Sequence, residues 1–287
     1  RYIEKNQGDY DFFIFMPYMF GTTYQGIMKA GERAVIIPCL HNERYAYISL
    51  YAQMMKRVSA LIFLDSAEQK LAGRLYEISE KPQLLLGAIV DPPGSDGDER
   101  RFRDKFGIYD KFILYAGRKI EGKNLPLLVD YFLKLKRSSS KCGGLKLVII
   151  GSGNLVYRGE NYPDVIDLGF VSPEDKNDAY RAASIFCQPS VNESFSIVMM
   201  EAWLNGTPNL VSSACEVTRE HCERCGGGLW FKDEAGFVKA VEMLLEGEDR
   251  RIQMAEMGRK YVLANFTGDI IVNKFVDFML EVKGGRQ

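Results

Sequence analysis

Residues 187–208, CQPSVNESFSIVMMEAWLNGTP, decide how this chain folds. Ile185 and Phe186 lead in as the end of an apolar strand, and Pro189-Ser190 opens a polar loop that carries Glu193. From Ser196 the pattern turns helical and runs to Asn205. Gly206 and Pro208 then stop it, because glycine takes the left-handed backbone that closes a helix and proline cannot extend one. Ile197, Val198, Met199, Met200, Ala202, Trp203 and Leu204 leave the helix no polar face, which predicts that it is buried all round. Glu201 is the one ionisable residue between Ser194 and Asn205. An unpartnered buried carboxylate costs roughly several kcal/mol, so Glu201 is paired, protonated or reserved for a ligand.

Two readings of Glu201 follow. In one it pairs with a basic residue or backbone donors of the fold. In the other it belongs to a binding site with Glu193, which stands in the loop with seven residues between the two. Ser194, Phe195 and Ser196 lie at the helix N-terminus, where backbone N–H groups and the helix dipole favour an anion. A carboxylate for sugar hydroxyls, amides for a phosphate and a second carboxylate together suit a nucleotide sugar.

Outward from this stretch, apolar strand patterns alternate with helical ones along the whole chain, which predicts parallel sheets of βαβ units. In the first half, 12–15, 35–39, 61–64 and 84–90 read as strands, with helices over 24–30, 45–57 and 67–78 between them. Ser66 and Gln69 are spaced as a capping box for the last of these. Residues 91–99, DPPGSDGDE, are a linker by composition, with the domain boundary between Pro92 and Asp110. Beyond it, strands are predicted over 112–116, 147–150, 165–168, 184–187, 209–211 and 229–231, and helices over 125–136, 174–183, 197–205, 235–246 and 250–264. Ser172-Pro173 with Asp175 is a helix start. A last amphipathic helix covers 270–281.

The expected organisation is a first Rossmann-like domain with its linker over 1–108, a second over 109–266, and a C-terminal helix over 267–287 that can cross back to the first. Both would be doubly wound, and ligands of such sheets bind beyond the carboxyl ends of the strands. Gly117-Arg118, Gly151-Ser152-Gly153, Glu193 and His41 all follow predicted strands and so converge on one cleft.

Composition narrows the partners. The 287 residues suit two domains, and 46% hydrophobic content supports real cores. Lys and Arg number 37 against 38 Asp and Glu, a net charge of −1, which argues against nucleic acid or a polybasic membrane anchor. No run approaches the roughly 18 apolar residues of a membrane span. Cys222-x-x-Cys225 with Cys215 and His221 has one zinc-like spacing, but a lone C-x-x-C beside a histidine is weak, and reduced thiols are the simpler expectation.

Arg118 and Lys123, in YAGRKIEGKN, place two cations between a strand end and a helix start. Arg offers a planar fork for phosphate and Lys a compact charge. Alone they also read as a solvated basic loop. Gly151, Ser152 and Gly153 form a turn, and Glu68 reads as a first-turn carboxylate complementing the helix dipole.

PSVNESFSIVMMEAWLNGTP resembles the E-x7-E region of the family 4 retaining glycosyltransferases, with Ser194 and Ser196 where that family usually has glycine. Gly117-Arg118 with Lys123 resembles its G-R-x4-K element. The resemblance spans 34–266 and is strongest over 112–231. It implies the GT-B fold, two Rossmann-like domains facing a cleft, with the first lacking its beginning. It further implies a metal-independent, cytoplasmic enzyme, or one peripheral at the membrane, that needs no cofactor beyond its substrate. That enzyme moves a sugar from a UDP-, GDP- or ADP-linked donor to a hydroxyl of a glycan or lipid-linked acceptor in polysaccharide synthesis. By resemblance, Arg118, Lys123, Ser196 and Ile197 hold the diphosphate and Glu201 the ribose. Glu193, Ser194 and Phe195 take the donor sugar, and the catalytic pair is Glu193, which also stabilises charge, and His41, which reaches the sugar from the first domain. Gly151, Ser152, Gly153, Phe170 and Val171 meet the base. Alternatives on the same fold are a nucleotide-sugar epimerase, a phosphorylase and a non-catalytic nucleotide-sugar-binding module.

Overall fold

A computed structural model describes residues 2–154 and 162–285. The chain divides into two compact units, one running to Ile89 and resumed from Gly268, the other spanning Val90–Thr267.

The first unit holds α1 (Tyr2–Asn6), β1 (Phe13–Phe15), α2 (Gly21–Ala30), β2 (Ala34–Ile36), α3 (Ser49–Arg57), β3 (Ala60–Phe63), α4 (Ser66–Leu75) and β4 (Gln83–Leu85). Its four strands are all parallel in the order β1-β2-β3-β4. A parallel strand covered on both faces reads as a continuous apolar run, and β3 is buried at every residue. The core gathers Ile27, Ile36, Met54, Met55, Leu61, Phe63 and Leu71 between sheet and helices. Three expectations need correction here. The helix predicted over 45–57 is a 3-10 turn, Arg44–Tyr47, then α3, broken at the extended Ile48. The strand predicted to Cys39 ends at Ile36, and Cys39 itself has φ 54. The cap of α4 is not Ser66 but Asp65, whose carboxylate accepts the Ala67 N–H at 2.8 Å.

The second unit continues with α5 (Glu99–Phe106), β5 (Phe112–Ala116), α6 (Leu125–Ser138), β6 (Lys146–Ile150), β7 (Val165–Gly169), α7 (Pro173–Ala182) and β8 (Ile185–Gln188). It ends with α8 (Ile197–Leu204), β9 (Asn209–Ser212), α9 (Glu216–Cys225), β10 (Gly228–Phe231), α10 (Glu234–Glu246) and α11 (Glu248–Asn265). The last helix, α12 (Gly268–Gly284), belongs to the first unit. Six parallel strands lie in the order β10-β9-β8-β5-β6-β7. The chain steps outward from β5 through β6 to β7, then returns to place β8 on the other side of β5. The carboxyl ends of β5 and β8 therefore flank the switch point where such sheets bind ligands. Leu128, Phe132, Leu147, Ile149, Phe237 and Val241 build the core on one face.

The division falls at Ile89/Val90, just ahead of the span from Pro92 to Asp110 in which the boundary is expected. The supposed linker is tied into the second unit by α5, a helix that charge-rich ERRFRDKF disguised. Buried Asp178 on α7 takes the Arg101 guanidinium at 2.5 and 2.7 Å and the Asp98 N–H at 2.7 Å. Phe102 stacks on Phe112. Helix α9 also went unforeseen, for EVTREHCERC buries only a narrow stripe. By contrast Ser172 caps α7 as expected, accepting the Asp175 N–H at 3.1 Å. Among the described residues no helix is long and apolar enough to cross a membrane.

Helix α8 is not buried all round. Met199, Met200, Trp203 and Leu204 are buried, and Trp203 lies so close to α11 that a Cβ on Gly258 would meet its ring at 2.2 Å. Ile197, one turn before Glu201, is 48% exposed. Glu201 shares that outward stripe with a side chain 22% exposed. An all-apolar composition hid the orientation because Ile197 supplies no polar mark for the open face.

Candidate functional site

The turns after β5, β6 and β7 are laced together by backbone. Gly117 N–H donates to Ile150 O at 3.0 Å, Lys119 N–H to Ser152 O at 2.8 Å and Gly151 N–H to Gly169 O at 2.7 Å. Gly151 has φ 129, and a Cβ there would sit 2.0 Å from Gly117 O, so the residue must be glycine for these turns to approach. Tyr115 O–H donates to Arg118 O at 2.9 Å and fixes the start of the loop. Burial first, then the Glu193 charge, pushes that phenol well above its ordinary range.

Beyond this turn Arg118 projects its side chain into solvent, with no ion-pair partner among the described residues. Lys123 ends a 3-10 turn, and the chain enters α6 through Asn124 at φ 54. Lys123 Nζ lies 2.6 Å from Glu193 Oε1 across the β5–β8 boundary. Two further residues join this contact. Asn124 Nδ2 donates to Pro189 O at 3.3 Å, and Gln188, buried at the end of β8, donates through Nε2 to Glu193 Oε1 and Ser190 Oγ. Sequence reading assigned no role to Gln188; the signal was a polar residue closing the apolar strand IFCQ.

After Glu193 the chain turns sharply into α8. Ser196 adopts φ 69 and ψ 71, the left-handed region, in place of the glycine expected for such a turn. Its Oγ is buried with no hydrogen-bond partner among the described residues. The first N–H groups of a helix have no partner within it, and α8 begins at Ile197, four residues after Glu193. Phe195 does not present its ring to a ligand. It is 3% exposed, edge-on to His221 at 5.3 Å and Phe266 at 4.8 Å. Only its main chain is left for the donor-sugar role.

His221 is thus a core residue anchoring that loop from α9. Its Nδ1 lies 2.9 Å from Tyr261 Oη, and burial, with nearby Arg224 adding, holds its pKa down at about 3. Cys225 Sγ accepts the Gly227 N–H, Cys215 and Cys222 are buried, and no disulfide forms among the described residues. Among the described residues no three His, Cys, Asp or Glu side chains group so as to hold a metal ion.

Glu201 lies in a different set of contacts. Lys176 Nζ is 2.6 Å from its Oε1 and Tyr180 O–H donates to Oε2 at 3.1 Å, both from α7. A cleft of about 170 Å³ opens beside this group, lined by Lys176, Glu201 and Asn205 with Pro93 and Pro173. Arg118 does not line it. The carboxylate is therefore paired in the fold and still reachable from solvent. In the turn after β7, Phe170 is 82% exposed, with Val171 half-buried beside it. His41 lies in the first unit, half-buried in the loop between β2 and α3.

Two parallel α/β sheets, the larger with its cation–carboxylate contact at the switch point, define a protein of the GT-B fold class. The chain resembles Anabaena HepE, whose structure is with UDP and glucose, at TM-score 0.76 and 14% identity over 98% of this chain and 80% of that one. It also resembles the sucrose-phosphate synthase of Thermosynechococcus elongatus, at TM-score 0.72 and 15% identity over 88% and 68%. The sequence profile described as "Glycosyl transferases group 1" matches residues 98–261. This chain belongs to that family. Among relatives, a D-inositol 3-phosphate glycosyltransferase of Corynebacterium kroppenstedtii is 32% identical over 192 residues, 60% of this chain and 42% of its own length. An uncharacterized glycosyltransferase of Methanocaldococcus jannaschii is 31% identical over 251 residues, 77% and 60% respectively. The chain thus spans about half the length of the curated relatives it matches.

Proposed function

We propose that the protein transfers a sugar from a nucleoside-diphosphate donor to a hydroxyl acceptor, with retention at the anomeric carbon and without a metal. The Lys123–Glu193 contact at the β5–β8 switch point carries this reading. It joins a cation of the type that suits phosphate to a carboxylate of the type that suits sugar hydroxyls, beside the carboxyl ends of β5 and β8.

In this reading the departing diphosphate develops negative charge as the anomeric C–O bond breaks, and fixed donors stabilise it. Arg118, free in solvent, and Lys123 supply the cations; Ser196 and Ile197 supply main-chain N–H groups. Arrival of the donor draws Lys123 off Glu193, which then accepts hydrogen bonds from sugar hydroxyls beside the main chain of Ser194 and Phe195. Glu201 exchanges Lys176 for the ribose hydroxyls. Gly151, Ser152, Gly153, Phe170 and Val171 border the base, and His41 contributes from the first unit. The acceptor is a glycan or a lipid-linked sugar, attacking from the face the leaving phosphate vacates, with that phosphate taking its proton.

Turnover of UDP-glucose, GDP-mannose and ADP-glucose by the full-length protein, followed by NMR of the anomeric proton, tests this. Retained configuration with undiminished rate in EDTA is expected; inversion, or loss of rate restored by a divalent cation, overturns it. Donor turnover lost in Glu193→Ala also separates it from a non-catalytic binding module.

A further inference from the structure

Glu68 is a carboxylate only 2% exposed, in the first unit and outside the contacts described above. Burying a carboxylate is costly unless its lone pairs are well used. Among the described residues no cation pairs with it. Oε1 accepts the Leu40 N–H at 2.7 Å and Oε2 the Leu64 N–H at 2.8 Å. A helix-capping glutamate stops at the N–H groups that precede its own helix, and Leu64 is one of those. Leu40 is not: it lies 28 residues away, in the loop leaving β2. One side chain from the first turn of α4 thus ties together the loops at the carboxyl ends of two paired strands, β2 and β3. Ligands of open α/β sheets bind at that edge.

The β2 loop is one that needs holding. Cys39, next to Leu40, carries a side chain at φ 54, a conformation that only glycine adopts without strain. On the far side of His41, Glu43 Oε1 accepts the buried Tyr18 O–H at 2.9 Å, and the Tyr18 N–H donates to Pro38 O at 3.0 Å. His41 sits between these ties, with Leu40 buried just before it.

We infer that Glu68 is a positioning residue: by accepting the Leu40 N–H it holds the strained loop, and His41 on it, in one conformation at the carboxyl edge of the first unit's sheet. The inference rests on the reading of His41 above, and the test separates the two. In Glu68→Gln the amide oxygen can keep one N–H but the amide nitrogen cannot accept the other. Hydrogen exchange at Leu40 in the full-length protein, measured at about pH 8 where Glu68 is ionised, should then quicken about tenfold or more, while exchange at β5 and β6 stays unchanged. With whichever of UDP-glucose, GDP-mannose or ADP-glucose the protein turns over, kcat should fall with KM unchanged. His41→Ala/Glu68→Gln should be no slower than His41→Ala alone. Unchanged exchange at Leu40, or losses that multiply in the double variant, overturns the proposal. If His41→Ala leaves kcat intact, the His41 reading fails and the positioning role fails with it, whatever the exchange at Leu40. Should Glu68→Gln not fold, Glu68→Asp keeps the charge but cannot span both loops, and its exchange at Leu40 and Leu64 decides in the same way.

Discussion

Glu193 and Glu68 are both carboxylates at the carboxyl ends of parallel strands, yet the two units hold them in opposite ways. Glu193 takes side-chain donors, Lys123 and Gln188, at the partly open β5–β8 corner. Glu68 takes only main-chain donors from two loops and is sealed from solvent. A lysine can swing toward a phosphate and release its carboxylate to a sugar. A backbone N–H cannot leave without moving the loop. The first arrangement suits an exchange of partners with a ligand, the second suits fixing geometry.

The sharpest way to break that comparison is at the exchangeable end. Glu193→Ala should lower donor turnover by about 10²–10³-fold, the scale for losing a group aimed at the reacting centre. Lys123→Ala should follow closely, and steady-state kinetics with the preferred donor reads both. A Glu193 variant with full activity would make the corner merely structural.

At the fixed end the expected effect is on stability. Burial raises the Glu68 pKa from its ordinary 4.5 to about 7, against the lowering by its N–H partners. Between those values the unfolded chain has released a proton that the folded chain retains. Stability should therefore fall as pH rises from about 4.5 to 7, by up to about 3 kcal/mol, and level off above that. Urea titrations at successive pH values should show this slope in the native protein and a flatter one in Glu68→Gln.

Glu201 should fall between the two. Its partners are side chains and its cleft is open, so Glu201→Gln should weaken donor binding about tenfold, near 1.4 kcal/mol, with little change in kcat. Calorimetry with the nucleoside diphosphate alone and with free nucleoside would locate the loss on the ribose. The smallest effect belongs to Ser196. Replacing it by glycine removes a strained left-handed residue and an unpartnered buried hydroxyl, at the cost of a more flexible unfolded chain. A net gain of about 1 kcal/mol in thermal unfolding is expected.

Much of this was legible in the chain itself. Strand and helix alternation forced parallel sheets, because continuous apolar runs such as FILYA and ALIF can be satisfied only when covered on both faces. Of the residues those motifs singled out, Lys123 and Glu193 meet at the β5–β8 corner, while Glu201 is held apart by Lys176 and Tyr180 of α7. Helices α5 and α9 escaped notice because charged, narrowly buried helices carry little periodic signal. The exposed stripe of α8 escaped for the opposite reason, since an apolar Ile197 faces outward there.

What local chemistry determined on its own was the kind of fold, parallel sheets built from alternating strands and helices. Which cation meets which carboxylate was decided only in three dimensions. Lys123 with Glu193, Lys176 with Glu201 and Glu68 with the Leu40 N–H join residues 70, 25 and 28 positions apart. Such partners are set by strand order and by the packing of α7 and α4, and neither leaves a mark in the spacing along the chain.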